Sequence, residues 1–308
     1  MRVLLVGQAA FAEQVLDGLA AAGHQIVGVV CPPDRGDKPD PVKAAATGRG
    51  IPVHQFPSLK APAARDAFAA AGADLAVLAY VTQIVPEPLL QLPRHTAICF
   101  HPSLLPRYRG GSAIPWQLIR GETRSGVTVF WPDAGIDTGP VLLQREVAVD
   151  PDDTAGSLYF KKLFPLGVHT VLDSVELIAQ GRAPREPQDD RWATYDPLLT
   201  DAHAAIDWRR PGLEVHNLIR GCDPQPGAHS TWRGTCLRLF EPRRDERGGP
   251  PGRVLAVDAQ GLVVATGTGT GSVRCTRARG GGPKTAAAEV ASALGITPGA
   301  LLESAGAQ

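Results

Sequence analysis

From Met1 to about Gly181, short apolar runs alternate with longer amphipathic stretches, the pattern of buried strands joined by crossover helices. Arg2 to Val6 reads as a first buried strand, Phe11 to Ala22 as an Ala-rich helix closed by Gly23, and Gln25 to Cys31 as a second strand. Asp34 to Pro41 is a polar loop containing proline. Further strands are predicted at Pro52 to Gln55, Leu75 to Ala79, Thr96 to Phe100, Val127 to Trp131 and Val141 to Val149, with helices near Pro62 to Ala71, Pro86 to Gln91 and Ser112 to Arg120. A long helical stretch runs from Asp153, the predicted N-cap, to Gln180, bent or broken at Pro165. An α/β domain with a Rossmann-like parallel sheet is therefore expected over residues 1–181.

The pattern then changes. Pro184, Pro187 and Pro197 lie among charged residues with few aliphatics, the composition of a connector, and 182–204 is read as a linker. Over 205–308 one helix, Leu213 to Arg220, precedes short strand-like runs at Thr235 to Phe240, Arg253 to Val257, Gly261 to Ala265 and Ser272 to Thr276, separated by Gly-rich turns. That spacing suggests a small β-barrel. Thr285 is expected to cap an Ala-rich helix ending at Leu294, and Glu303 to Gln308 to fray.

Composition narrows the function classes. The chain has 308 residues, 44% hydrophobic and 20% charged, with a formal net charge of +0, so it carries no overall electrostatic footprint for nucleic acid. The apolar start at Met1 ends by Gly7-Gln8, too early for a signal peptide, and no run reaches the ~18 apolar residues of a membrane span. Five scattered cysteines without a Cys-x-x-Cys pair argue against a disulfide framework and for a reducing, cytoplasmic setting. The histidines form no ligand-spaced pair, so no metal is expected. Gly7-Gln8-Ala9-Ala10-Phe11 keeps only the first glycine of Gly-x-Gly-x-x-Gly, which argues against nicotinamide binding.

Two loops carry the candidate chemistry. His101-Pro102-Ser103-Leu104-Leu105-Pro106-Arg107-Tyr108-Arg109-Gly110 follows the strand-like Ala97 to Phe100, and Asp133-Ala134-Gly135-Ile136-Asp137-Thr138-Gly139 follows Val127 to Trp131. In open parallel sheets ligands sit at the carboxyl ends of strands, so a His and an Asp at two such ends would face one cleft. Taken singly, the His is as readily structural, and the Asp loop as readily turn chemistry with Gly135 and Gly139 supplying positive φ.

In this order and spacing the two motifs resemble the formyltransferase family that uses 10-formyltetrahydrofolate, whose signature is a His followed by Ser-Leu-Leu-Pro and, further on, an Asp in Asp-Thr-Gly. Within it, Gly7-Gln8, Val81-Thr82-Gln83-Ile84-Val85-Pro86, Leu163-Phe164-Pro165 and His216-Asn217-Leu218-Ile219-Arg220-Gly221 are similar to the amino-terminal hydrolase domain of 10-formyltetrahydrofolate dehydrogenase. No aldehyde-dehydrogenase portion follows Gln308, so a free-standing folate-dependent module is expected, with 205–308 as an OB-like domain.

The resemblance implies roles. His101 polarises the formyl oxygen, and Asp137 orients His101 and accepts the nucleophile's proton. Most transferases of the family carry an oxyanion-binding Asn two residues before the His; here Cys99 stands there, either a small buried hydrophobe or, in a minority reading, a nucleophile forming a transient thioester. Tyr80, Gln83, Ile84 and Val85 correspond to the pterin-holding loop, Leu104, Leu105 and Pro106 line the same pocket, and Asp133 to Thr138 close it. Arg107 and Arg109 are assigned to the glutamate tail or an anionic acceptor, with exposed salt-bridging as the alternative. Three activities are open: transfer to a small-molecule amine, hydrolysis to formate, and folate binding without useful catalysis. Transfer to methionyl-tRNA is disfavoured because Asp34-Arg35-Gly36-Asp37-Lys38-Pro39-Asp40 is short and charge-balanced rather than long and basic. The sequence sets no oligomeric state.

Overall fold

The computed structural model describes residues 1–34, 36–267 and 271–304. In chain order the elements are β1 (Arg2–Gly7), α1 (Ala9–Ala21), β2 (Gln25–Cys31), α2 (Pro41–Gly48), β3 (Val53–Gln55), α3 (Pro62–Ala71), β4 (Leu75–Ala79), α4 (Glu87–Leu90), β5 (Ala97–His101), α5 (Ala113–Ile119), β6 (Arg124–Phe130) and β7 (Val141–Ala148). They continue with α6 (Ala155–Leu158), a π-helical turn (Tyr159–Leu163), α7 (Phe164–Ala179), α8 (Gly212–Gly221), β8 (Ala228–Trp232), β9 (Thr235–Asp245), β10 (Val254–Asp258), β11 (Gly261–Ala265), β12 (Ser272–Arg279), β13 (Thr285–Ala286) and α9 (Ala287–Ala293). The chain forms two discontinuous compact units, Met1–Gly111 with Gly126–Val147 and Lys161–Asp196, and Ser112–Ser125 with Ala148–Phe160 and Pro197–Gln308.

The first unit is built on a seven-stranded sheet of order β3-β2-β1-β4-β5-β6-β7. Strands β1 to β5 pair in parallel through helical crossovers, as the alternation predicted. β6 departs from it. It runs antiparallel to β5, with Cys99 opposite Phe130 and His101 opposite Thr128, so the sheet is mixed. Phe100 points to the face covered by α1 and α7, where its ring stacks on Phe11 at 4.3 Å and Gly167 leaves room for it. Ala97 and Cys99 point the other way, toward the cluster that Phe68 of α3 and Leu89 and Leu90 of α4 build on Leu4, Val6 and Leu78. Each large apolar side chain so buried stabilises the unit by about 1.5–3 kcal/mol. His101, two residues after Cys99, inherits its face.

Local chemistry moves several boundaries. Asp40 caps α2, a helix that periodicity does not reveal, by accepting from the Val42 N–H. Thr154, not Asp153, caps the long helical stretch, in a reciprocal pair with Ser157, while Asp153 accepts from the Asp150 N–H and the Ser157 hydroxyl. The bend expected at Pro165 takes the form of the π turn before it, where the proline's missing N–H breaks the α ladder.

Residues 182–196, expected as linker, belong to the first unit: the Val141 and Glu186 backbones exchange hydrogen bonds of 2.8 and 2.9 Å beyond the sheet edge. The second unit holds the antiparallel sheet β10-β11-β12-β9-β8, with β13 on β12. Its outer strands are joined through the chain's end: Gly299 and Ala300 bond Val254 of β10, and Glu303 bonds Thr231 of β8 in both directions. This pairing replaces the fraying expected there as far as Ser304; residues 305–308 lie outside the described residues. Thr285, expected to cap α9, instead pairs with β12.

In the second unit His216 is buried, and both ring nitrogens lack a hydrogen-bond partner. Burial first, and then the Arg220 guanidinium, hold its pKa below the usual histidine value. His229 is shifted in the same direction by its own burial. With the folded value depressed, the unfolded chain binds more protons below about pH 6.5, so the stability tied to neutral His216 is present above that pH and falls as pH drops. Urea unfolding between pH 7 and 5 is expected to show ΔG declining by up to about 1.4 kcal/mol per pH unit for this one group, and His216→Leu to flatten that slope. An unchanged slope would contradict the assignment.

Candidate active site

His101 ends β5 and is 6% exposed. Its Nε2 lies 2.7 Å from the Tyr108 carbonyl oxygen and its Nδ1 3.5 Å from Asp137 Oδ2. A carbonyl can only accept, so Nε2 must carry a proton. Nδ1 is then the ring atom left for the cleft and the carboxylate.

Asp137 reaches His101 by a different route from the one expected of two parallel strand ends. Because β6 is antiparallel, its end lies beside the start of β5, and the loop 132–140 has to fold back. Asp137 turns it, at φ 56, a left-handed conformation costly for a residue with a Cβ, and its Oδ2 accepts the Gly110 N–H at 2.8 Å. Gly135 and Gly139 do not supply positive φ. They supply space: a Cβ on Gly139 would lie 1.8 Å from the Trp131 carbonyl oxygen, and one on Gly135 2.0 Å from Thr138 Oγ1. Asp133 Oδ1 accepts from the Gly135 N–H and the Thr138 hydroxyl, so these two predicted contact residues shape the loop from within.

The signature loop is fastened from several sides. The Thr128 hydroxyl donates to the Ser103 carbonyl at 2.6 Å and accepts from the Leu105 N–H and from Gln144, while the Ser103 hydroxyl donates to the Arg107 carbonyl at 2.7 Å. Tyr108, at φ 61, donates its N–H to Thr194 Oγ1 at 2.7 Å. Arg109 does not face an open anion site: buried, its guanidinium donates to Gln188 Oε1 and pairs with Asp190 at 2.8 Å. Arg107 is exposed, its guanidinium 5.4 Å from the Tyr108 ring centroid. Sequence reasoning missed Gln188, Thr194, Thr128 and Gln144. Gln188 and Thr194 stand in a Pro-containing run, where a polar residue carries no signal that separates it from a connector, and Thr128 and Gln144 stand inside strands.

The other predicted residues divide. Ile84, 70% exposed, and Tyr80, 43% exposed at φ 62, present apolar surface on the loop after β4. Val85 is buried in the α3–α4 cluster, and Gln83 lines the cleft at the carboxyl ends of β1, β2 and β4 while its Oε1 accepts the Leu59 N–H at 3.0 Å. Leu105 is buried, whereas Leu104 and Pro106 are half-buried. Burial, and then the nearby Asp137 carboxylate, push the Cys99 thiol far up, so it is held as a neutral thiol and is no ready nucleophile.

A cleft of about 280 Å³ opens at the carboxyl ends of β1, β2 and β4, lined by Gly7, Gln8, Cys31, Phe56, Tyr80 and Thr82 among others. It is not centred on His101. Since Gly7 pairs with Ala79 and Leu78 with Cys99, its β1 side lies two strand spacings of roughly 5 Å from β5 and its β4 side one. Gly7 is there for close approach, since a Cβ would lie 2.1 Å from the Ala79 carbonyl oxygen. Asp40 Oδ1 and Oδ2 accept the Ala9 N–H that opens α1, at 2.9 and 3.0 Å. Among the described residues no group of three or more His, Cys, Asp or Glu is disposed to hold a metal, and no helix is long and apolar enough to cross a membrane.

Comparison with known proteins decides the family. The formyl transferase model matches residues 1–165 and the formyl transferase C-terminal domain model residues 198–293. The chain belongs to the formyl transferase family. It is 40% identical to the mitochondrial 10-formyltetrahydrofolate dehydrogenase of Mus musculus over 87% of this chain, but spans only 30% of that relative's length. It is 39% identical to the methionyl-tRNA formyltransferase of Geobacter metallireducens over 89% of both chains. In fold it is similar to HypX from Aquifex aeolicus, solved in complex with tetrahydrofolic acid, at a TM-score of 0.71 and 21% identity, covering 96% of this chain and 47% of that one. His101 and Asp137 both lie in the unit that holds most of the first match.

Proposed function

We propose that this formyl transferase moves the formyl group of 10-formyltetrahydrofolate to the amino group of a small-molecule acceptor. The observation that carries the reading is His101 Nδ1 lying 3.5 Å from Asp137 Oδ2 while Nε2 is held by the Tyr108 carbonyl. The amine attacks the formyl carbon and the carbonyl electrons move to oxygen. An Nδ1–H stabilises that oxyanion beside the Asp137 carboxylate, while Nε2 stays on the Tyr108 carbonyl. Asp137 takes the proton the amine loses, directly or through a water, and the departing folate nitrogen takes it up as its bond to the formyl carbon breaks. The products are an N-formyl amine and tetrahydrofolate. Ile84 and Tyr80 on the loop after β4 offer apolar surface suited to a pterin.

The named residues lining the cleft at β1 are all neutral, and the Asp40 carboxylate already occupies the α1 N-terminus, where a phosphate would otherwise bind. Both features favour an acceptor without phosphate. Asp34, paired with Lys43 and accepting from Asp40 N–H, ties down the loop after β2; Arg35 of that loop is outside the described residues.

Hydrolysis, with water in the amine's place, is supported by Cys99. Its thiol lies 3.6 Å from the Phe100 carbonyl, and a thiol is a far weaker oxyanion donor than the amide most transferases carry there. The identity with the dehydrogenase points the same way. Incubation of the purified protein with 10-formyltetrahydrofolate, with and without amines, separates the readings. Formyl loss stimulated at least tenfold by an amine supports transfer, equal formate release without one supports hydrolysis, and turnover on methionyl-tRNA with a steep salt dependence supports the tRNA reading. Tight folate binding with no turnover under any condition overturns all three.

A further inference from the structure

The Gln188 amide joins the two loops that carry the reacting pair. Its Oε1 accepts from Arg109 Nε and an Arg109 terminal nitrogen, at 3.2 and 2.8 Å, in the loop after His101. Its Nε2 donates to the Asp137 and Gly139 carbonyl oxygens, at 2.9 and 2.7 Å, in the loop after β6. The orientation is dictated by the partners: reversed, the amide would turn its oxygen on two carbonyls and its N–H groups on a guanidinium. Asp137 needs such restraint, because it sits in a left-handed conformation in a loop folded back against its strand direction. Its carboxylate is tied to Gly110, next to Arg109, so one side chain fixes both the Asp137 backbone and the segment its carboxylate binds.

We infer that Gln188 is a positioning residue that holds Asp137 in register with His101. It touches neither reacting group's side chain and acts through the Asp137 backbone and Arg109. The inference rests on the reading of His101 and Asp137 as the reacting pair. A displacement on the order of 1 Å in such a pair costs about 100-fold in rate.

The experiment compares Gln188→Ala, Gln188→Glu and, as a control, Asp190→Ala, which removes only the exposed partner of Arg109. Both Gln188 variants are expected to lose about 10- to 100-fold in kcat with KM for 10-formyltetrahydrofolate within about twofold, because the folate surfaces are untouched. Glu is the discriminating change. It strengthens the tie to Arg109 yet sets a carboxylate oxygen against the two carbonyls, so rescue by Glu would mean that Gln188 serves Arg109 alone, and would overturn the inference. A readout independent of turnover is hydrogen exchange of the Gly110 amide, which donates to Asp137. It is expected to speed at least tenfold in both Gln188 variants, with unfolding temperature and the Asp190→Ala protein unchanged. Unaltered Gly110 exchange in both overturns the positioning role, whereas absence of formyl chemistry in the unmodified protein overturns the functional reading and leaves the exchange result to judge Gln188.

Discussion

Asp137→Asn is expected to reduce kcat by about 10²- to 10⁴-fold, the usual contribution of a positioned acid–base group. The change is nearly isosteric, and an amide oxygen at 137 can still accept the Gly110 N–H that Asp137 Oδ2 now accepts at 2.8 Å. What is lost is the proposed capacity to take the nucleophile's proton, together with the negative charge facing His101 Nδ1. Unfolding temperature and tetrahydrofolate binding should therefore stay close to those of the unmodified enzyme. Single-turnover rates with 10-formyltetrahydrofolate measure the effect directly. An Asn variant within threefold of the original rate would remove Asp137 from the chemistry and with it the proposed mechanism.

Gly139→Ala should be the most damaging small change in the loop. Its new methyl would lie 1.8 Å from the Trp131 carbonyl oxygen, a backbone atom that itself lies where the loop leaves β6, so neither partner can turn aside. The loop must shift as a body and carry Asp137 with it, for an expected loss of about 100-fold in kcat and about 1–3 kcal/mol of stability from overpacking. Gly135→Ala should cost less, because its clash is with the Thr138 side chain, which can rotate. Gly48→Ala is the control. It lies at the end of α2 with open space around it, and the substitution should be neutral or slightly stabilising. Equal behaviour of the Gly139 and Gly48 variants would show that the loop's backbone path does not position the carboxylate.

The unequal legibility of the site has physical causes. His101 and Asp137 stand in compact motifs, so their pairing could be anticipated, yet the geometric reason first available for it does not hold. Periodicity reports which residues of a strand are buried and is the same for either strand direction, so nothing along Val127 to Trp131 announces that β6 runs against β5. Glycine tells a similar story. A glycine in a loop signals freedom, but whether that freedom is needed for φ or for a neighbour's carbonyl depends on what folds against it, and at Gly139 it is the neighbour.

Arg109 and Gln188 mark the other boundary. An arginine in a signature loop invites assignment to an anion, and its capture by Gln188, 79 residues away, and by Asp190 follows only from how 182–196 pack onto the first unit. The alternation of apolar runs, the helix-breaking prolines and the two motifs act over a few residues, and from them the α/β class, most elements and the proximity of His101 and Asp137 could be read. Strand direction, the fold-back of the Asp137 loop and the Gln188 bridge depend on contacts between distant segments, whose geometry exists only once the chain has closed around its core.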